Sequence, residues 1–305
     1  MSGPPTRAAP AHSGPYVLPP CPLGDYALLD TGLGEKLERI GRYVLRRPDP
    51  QAMWRPRRPP HAWEAADLVF ERESDRGGRW RAAHGPVPEE WTIEHEGARL
   101  LVRPTAFKHV GVFPEQATNW RWTAEQVRRV ARGGGGAPRV LNLFAYTGAA
   151  TVLATRAGAR VTHVDSSRPA MRWARRNAEL SALPADAVRW IEDDAPSFVR
   201  RELRRGARYE GILLDPPPYG RGSGKQRWVF EQDVVALLGA CRELLGAQGP
   251  AFLVLSCYAV GTSPLAFANM LADLGPGDVV AGELAIPEED GARLLPAGLC
   301  GRYVR

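Results

Sequence analysis

The chain has 305 residues, enough to bury a full core and to hold one large or two modest domains. It has no run of 18 apolar residues and no signal-peptide pattern at its start, so the expectation is a cytoplasmic protein without a membrane span or leader. A formal charge of +6 admits a nucleic-acid partner, but all but three of the 40 basic residues are arginine, and with so much Ala, Gly and Pro that excess is discounted as GC-rich coding bias.

Residues 1–20, rich in Pro, Ala, Ser and Gly, show no apolar period and are expected to form a mobile arm. Cys21, Cys241, Cys257 and Cys300 are scattered without a C-x-x-C pair, so neither a disulfide framework nor a metal site is expected. From Tyr26, short strand-like runs separated by Gly32, Gly34 and Gly41 predict an antiparallel meander, the start of a small β-rich domain over 21–104. Gln51 to Trp63 is irregular. Its Trp54, Arg55, Arg57, Arg58, His61 and Trp63 either clamp single-stranded nucleic acid or pack the tryptophans on the small sheet. Trp91 to Val102 alternates and predicts a hairpin, with His95 on its apolar side as a packing residue rather than a base. Phe107-Lys108-His109-Val110-Gly111-Val112-Phe113-Pro114-Glu115-Gln116 leads into a helix running to about Arg132, and Gly133 to Gly136 form a joint. The segment 105–138 is thus set apart from a large domain over 139–305.

That domain opens on a βαβ unit. Val140, Leu141, Leu143 and Phe144 form an apolar run typical of a buried parallel strand, Ala145-Tyr146-Thr147-Gly148-Ala149-Ala150 let a helix start, and Val161 to Val164 form a second strand ending on Asp165. In such a unit the helix amides face a ligand, and an acid about 20 residues further on can hydrogen-bond a ribose diol.

Asn142-Leu143-Phe144-Ala145-Tyr146-Thr147-Gly148 with Val164-Asp165-Ser166-Ser167 resembles the cofactor motif of class I S-adenosylmethionine (SAM) dependent methyltransferases. It is most similar to the branch containing the large-subunit ribosomal RNA cytosine carbon-5 methyltransferases. The resemblance implies SAM as cofactor, with Asp165 on the ribose, Ser166 beside it, and Asn142 and Phe144 to Gly148 around the methionine. It also implies that Lys108, Phe113 and Gln116, matching a Lys-x-x-Gly-x-Phe-x-x-Gln block, touch the methionine end or the adenosine. The absence of Gly-x-Gly-x-Gly argues against a pyrophosphate, although an NAD-binding fold or a βαβ unit without ligand remains the alternative.

Further on, a helix opens at Pro169 with Arg172, Arg175, Arg176 and Glu179 on one face and Met171, Ala174 and Ala178 opposite, and Asn177 is expected to meet loop backbone groups. A third strand, Val188 to Ile191, precedes Asp193-Asp194-Ala195-Pro196. Asp194 is placed to cap the next helix, and by the resemblance one of Asp193 and Asp194, beside Ala195, meets the adenine. A fourth strand, Tyr209 to Leu214, delivers Asp215-Pro216-Pro217-Pro218-Tyr219-Gly220. The prolines fix the Asp215 carboxylate and Pro216 carbonyl toward a substrate, with Gly220 to Lys225 as a lid; the run resembles the Asp-Pro-Pro-Tyr of amino-group methyltransferases with the tyrosine displaced one place by Pro218, which implies that Tyr219 stacks on a substrate base. A fifth strand, Phe252 to Ser256, ends at Cys257. A thiol facing Asp215 there is either the nucleophile that carbon-5 chemistry needs or an inert core residue. A helix from Ser263 to Leu274 and strands near 279–284 and 299–304, joined by the loop Pro287 to Pro296, complete the count.

The expected fold is therefore α/β, a doubly wound seven-stranded mostly parallel sheet with a small antiparallel N-terminal β-rich domain. The expected activity is methyl transfer from SAM to a base in RNA, ribosomal RNA first and cytosine carbon-5 favoured. The rivals are amino-group transfer to a nucleobase or another acceptor, and a non-catalytic SAM-binding RNA-associated protein. No oligomeric state is legible.

Overall fold

The computed structural model describes residues 17–74, 77–221, 227–258, 261–291 and 293–305. Most of the expected arm and most of the expected lid, 222–225, lie outside the described residues. At the arm's end, Val17 bridges Glu283 and the Leu18 amide donates to the Glu283 carbonyl at 2.9 Å, so this part of the segment is anchored rather than mobile.

Five strands form the small sheet in sequence order: β1 (Tyr26–Gly32), β2 (Glu35–Ile40), β3 (Tyr43–Pro48), β4 (Leu68–Ser74) and β5 (Gly77–Ala82). The first three make the expected meander, but β3 and β4 pair in parallel. The parallel step needs a long crossover, which the Pro-rich stretch with helix α1 (Pro60–Glu64) supplies. Buried Asp30 pins that crossover: its carboxylate accepts the Arg57 amide at 3.0 Å, the Arg58 amide at 2.7 Å and Trp63 Nε1 at 3.1 Å. Trp54 Nε1 donates to Thr31 Oγ1 at 2.9 Å, so both tryptophans pack on the sheet. The hairpin β6 (Trp91–His95) and β7 (Ala98–Val102) buries Trp91, Ile93 and His95 on one side, as the alternation predicts.

The large sheet holds β8 (Arg139–Leu143), β9 (Arg160–Asp165), β10 (Val188–Glu192), β11 (Gly211–Leu214), β14 (Phe252–Cys257), β15 (Asp278–Pro287) and β16 (Leu294–Val304), in the order β10-β9-β8-β11-β14-β16-β15. The first five are parallel; β16 runs antiparallel between β14 and β15. A separate pair, β12 (Tyr219–Arg221) and β13 (Arg227–Val229), follows β11. Helices α2 (Ala117–Val130), α3 (Ala149–Arg156) and α4 (Arg168–Leu180) cover one face of the large sheet. On the other face lie α5 (Ala195–Arg204), α6 (Phe230–Leu245) and α7 (Pro264–Ala272).

Strand parity explains the continuous apolar runs. Leu141 and Leu143 pack toward α5 and α6, while Val140 packs toward α2 and α3. The final hairpin is longer than expected, with Pro287 and Pro296 inside strands. Pro287 is tolerated because β15 is an edge strand, and Pro296 because β14 pairs with β16 only from Leu299 onward. The extended hairpin end reaches β1, where Thr31 Oγ1 donates to Glu288 and the Glu289 amide donates to the Leu28 carbonyl at 2.8 Å. The small sheet is thereby fastened over the carboxyl edge of the large one.

Candidate active site

The carboxyl ends of β8, β9, β10, β11 and β14 converge on a cavity of about 600 Å³, a size typical of small-molecule sites. Its first half is made largely of backbone. After β8 the chain alternates into the left-handed region at Phe144 (φ 54°), Tyr146 (φ 49°) and Gly148 (φ 81°). For the two aromatic residues this costs about 1 to 2 kcal/mol each, so the surroundings must hold the loop in place. They do so on both sides. The Tyr146 amide donates to Asp165 Oδ2 at 2.7 Å, and Thr147 Oγ1 donates to the Gly111 carbonyl at 2.6 Å. A Cβ on Gly148 would lie 2.8 Å from that of Ala174, and one on Gly111 (φ 91°) would lie 2.1 Å from Trp173, so both glycines are required by space as well as by conformation.

Asp165 also accepts the Ser167 amide at 2.8 Å through Oδ1. Each of its oxygens thus has one amide and a free lone-pair direction, which suits a vicinal diol. Burial raises its pKa and the two amides oppose the rise. Ser166 lies beside it on the wall. Asn177, as expected, serves backbone groups: it accepts the Leu101 amide at 2.7 Å and donates to the Thr147 carbonyl at 2.8 Å. Asn142 and Thr147 are buried and bonded internally, Asn142 to Thr151 at 2.9 Å. With Ala145 and Gly148 they border a small cavity of about 70 Å³ that adjoins the large one and shares Phe113, Gln116, Phe144, Tyr146 and Asp215 with it. Asp194 caps α5 by accepting the Ser197 amide at 2.9 Å. Asp193, ion-paired to Arg201, lines the cavity beside Asp194 and Ala195.

The second half is made of side chains from distant parts of the chain. Asp215 Oδ1 accepts Ser256 Oγ at 2.8 Å and Gln116 Nε2 at 3.5 Å, and Gln116 also donates to Ser256 at 3.1 Å. Burial pushes the Asp215 carboxyl up to about 6, with Ser256 opposing. Ser256, one residue before Cys257, is the side chain bonded to the Asp215 carboxylate, because alternation along β14 sends the two to opposite faces. Cys257 instead donates from Sγ to the Pro216 carbonyl at 3.2 Å, so that carbonyl is already engaged. The other two carbonyls of the triple proline are taken as well, Pro217 by Trp228 Nε1 at 2.7 Å and Pro218 by the Phe230 amide at 3.0 Å. Burial, then Asp215 and Glu231, push the Cys257 thiol up to about 12.

Two expected site residues stand apart. Tyr219 is 63% exposed and off the cavity wall, since the third proline turns it outward on β12; after the triple proline it is Trp228 that lines the cavity, tilted against Phe144 at 5.0 Å. Lys108 lines an adjoining cleft of about 40 Å³ that shares His109, Phe113, Glu115 and Tyr258 with the main cavity, and donates to the Pro48 carbonyl at 3.4 Å, while Phe113 and Gln116 of the same block line the main cavity itself. Sequence reasoning missed Trp228, Ser256, Tyr258 and Glu115. Only Glu115 carried a signal, as the acid beside Gln116. Among the described residues no helix is long and apolar enough to cross a membrane, and no cluster of three His, Cys, Asp or Glu stands close enough to hold a metal.

A doubly wound sheet with an acid at the second strand tip, and a cavity at the strand ends, defines a nucleoside-cofactor site. Asp165 and Asp215 line it without an ion pair among the described residues, which fits a positively charged ligand. Residues 47–271 match the family model described as S-adenosylmethionine-dependent methyltransferase. A SAM-dependent methyltransferase of Agrobacterium tumefaciens superimposes with a TM-score of 0.89 at 39% identity, covering 98% of this chain and 96% of that one. The chain belongs to the SAM-dependent methyltransferase family, whose methyl donor is SAM. It is also 30% identical over 223 residues to ribosomal RNA large subunit methyltransferase I of Aeromonas salmonicida (69% of this chain, 51% of the relative). The same-named protein of Salmonella arizonae is 32% identical over 206 residues (63% and 46%). The chain therefore spans about half the length of these curated relatives.

Proposed function

We propose that this protein transfers a methyl group from SAM to a base in RNA, ribosomal RNA first. One observation carries the reading: a single cavity is lined both by Asp165, the acid at the second strand tip, and by Asp215, Pro216, Trp228 and Cys257. The names of the Aeromonas and Salmonella relatives support RNA as the acceptor. Methyl transfer from a sulfonium is already favourable, so the protein's part is to position the acceptor and exclude water.

Two acceptor atoms compete. Cytosine carbon-5 is supported by a cysteine on the cavity wall, which can add to carbon-6 once its proton is removed. An exocyclic amine is supported by the thiol's high pKa and its bond to Pro216, both of which favour the inert thiol. Labelled-methyl transfer to total RNA from a deletion strain, followed by identification of the modified base, separates them. Loss of label with Cys257→Ala is the carbon-5 outcome, and retention is the amine outcome. SAM binding without any label on RNA would leave a non-catalytic binding protein and sink the proposal.

A further inference from the structure

Glu115 sits in the 3-10 turn Pro114–Gln116, on the wall that also carries Asp215, Cys257 and Tyr258. The acids around it are committed: Glu38 to Arg47 and Tyr26, Asp49 to Lys36, Asp165 to two amides, Asp193 to Arg201, Asp215 to Ser256 and Gln116. Among the described residues, the Glu115 carboxyl has no ion pair and no hydrogen bond except from its own backbone amide. Glu115 is half-buried on the cavity wall, so its carboxyl is committed to no partner yet open to a ligand, and acids placed in this way concentrate where chemistry uses them.

We propose that Glu115 is the general base of the transfer, accepting the proton that the acceptor base gives up. The assignment rests on the RNA-base reading above but not on which atom is methylated. The acceptor atom donates an electron pair to the methyl carbon, the carbon–sulfur bond breaks with its pair left on sulfur, and the acceptor's proton passes to the Glu115 carboxylate. With an amine acceptor that proton is the N–H. With carbon-5 it is the C5–H of the Cys257 adduct: the thiol proton passes to ring nitrogen N3 as sulfur adds to carbon-6, the C5–H electron pair later restores the ring double bond and expels the sulfur, and the N3 proton returns to that sulfur. In either case the sulfonium's positive charge and the carboxylate's negative charge disappear together, so the cavity ends with no new buried charge.

The groups facing Glu115 favour this use. Burial raises its pKa most, Lys36 and Arg47 from the small sheet oppose the rise, and Asp215 adds to it. Tyr26 and Tyr258, uncharged at neutral pH, also stand near it, and the carboxyl lies at about 7. A base of that strength is half ionised at neutral pH and matched to proton removal.

The test compares wild type, Glu115→Gln and Glu115→Asp in label transfer to deletion-strain RNA between pH 5.5 and 9 (about the span on each side of neutrality that the base requires), with SAM affinity measured by calorimetry. Expected for Glu115→Gln is a fall in kcat of about 100-fold or more, loss of the rising limb of kcat against pH near neutrality, and unchanged SAM affinity, which also shows that the variant folds. Glu115→Asp should regain part of kcat together with the limb. Glu115→Gln that keeps kcat and the limb, or that weakens SAM binding while kcat is unchanged, overturns the assignment and leaves the RNA reading standing. Wild-type protein that labels no RNA at any pH overturns both.

Discussion

The two halves of the cavity are built by opposite means. At the nucleoside end, the geometry lives in the backbone: three left-handed residues in five, one carboxylate spanning two amides, and two glycines with no room for a Cβ. At the acceptor end it lives in side chains drawn from positions 116, 215, 228 and 256–258, held by bonds among themselves. The first half constrains its residues tightly and so fixes one ligand. The second depends on contacts between residues far apart in sequence, and here Trp228 lines the cavity where Tyr219 was expected.

The harshest way to break this contrast is at Asp165. Asp165→Ala removes the acceptors for two hydroxyls and at the same time frees the Tyr146 amide that holds the strained loop. Charge-assisted hydrogen bonds contribute about 1.5 to 3 kcal/mol each, so SAM affinity should fall on the order of 100-fold or more by calorimetry. An unchanged affinity would mean that the backbone half does not hold the nucleoside.

A pH measurement sharpens the contrast at the acceptor end. Asp215 has a folded pKa of about 6, above its ordinary value of 3.8. Its carboxyl therefore favours the fold when protonated: that stabilisation is complete below pH 4, about the unfolded value, and is lost as pH rises through about 6. The difference amounts to about 3 kcal/mol at order-of-magnitude accuracy. Asp215→Asn cannot ionise, so its stability relative to wild type should rise between pH 4 and 7 in thermal melts (~1.36 kcal/mol per pKa unit). The same ionisation serves the cationic donor. Wild-type SAM affinity should drop as pH falls below about 6, and the Asn variant should lack that drop. A wild type and variant that stay parallel in both measurements would place Asp215 outside the ligand's reach.

The same contrast explains what was legible in the sequence. The run from Asn142 to Gly148 and the acid at 165 announce themselves because a strand, a turn and a second strand tip are close along the chain, and small residues at fixed offsets are what the turn needs. The seven strands, the Asp194 cap and the inward parity of Ile93 and His95 were legible for the same local reason. Ser256 was not, because its role depends on which face of β14 meets Gln116, 140 positions earlier. Lys108 lies apart from the rest of its block: the turn at Gly111 carries Phe113 and Gln116 to the cavity and leaves the lysine in the adjoining cleft, a bend that spacing along the chain does not reveal. The parallel step from β3 to β4 was hidden because nothing in the Pro-rich stretch says that Asp30 will gather three of its N–H groups.

The mildest perturbation asks where the acceptor half stops. Tyr219 is 63% exposed on β12, with its backbone paired to Val229 and its ring away from the cavity. Tyr219→Ala removes little buried surface and leaves the strand pairing intact, so stability should change by less than about 0.5 kcal/mol and SAM affinity by nothing measurable. RNA methylation is the informative readout. If the cavity alone selects the acceptor, the KM for RNA is unchanged. If it rises severalfold while kcat at saturating RNA holds, the exposed ring is stacking on a nucleotide flanking the target. The acceptor half would then extend along the β12–β13 hairpin onto the surface, and the division between a backbone-built nucleoside end and a side-chain-built acceptor end would run out of the cavity into the RNA-facing side of the molecule.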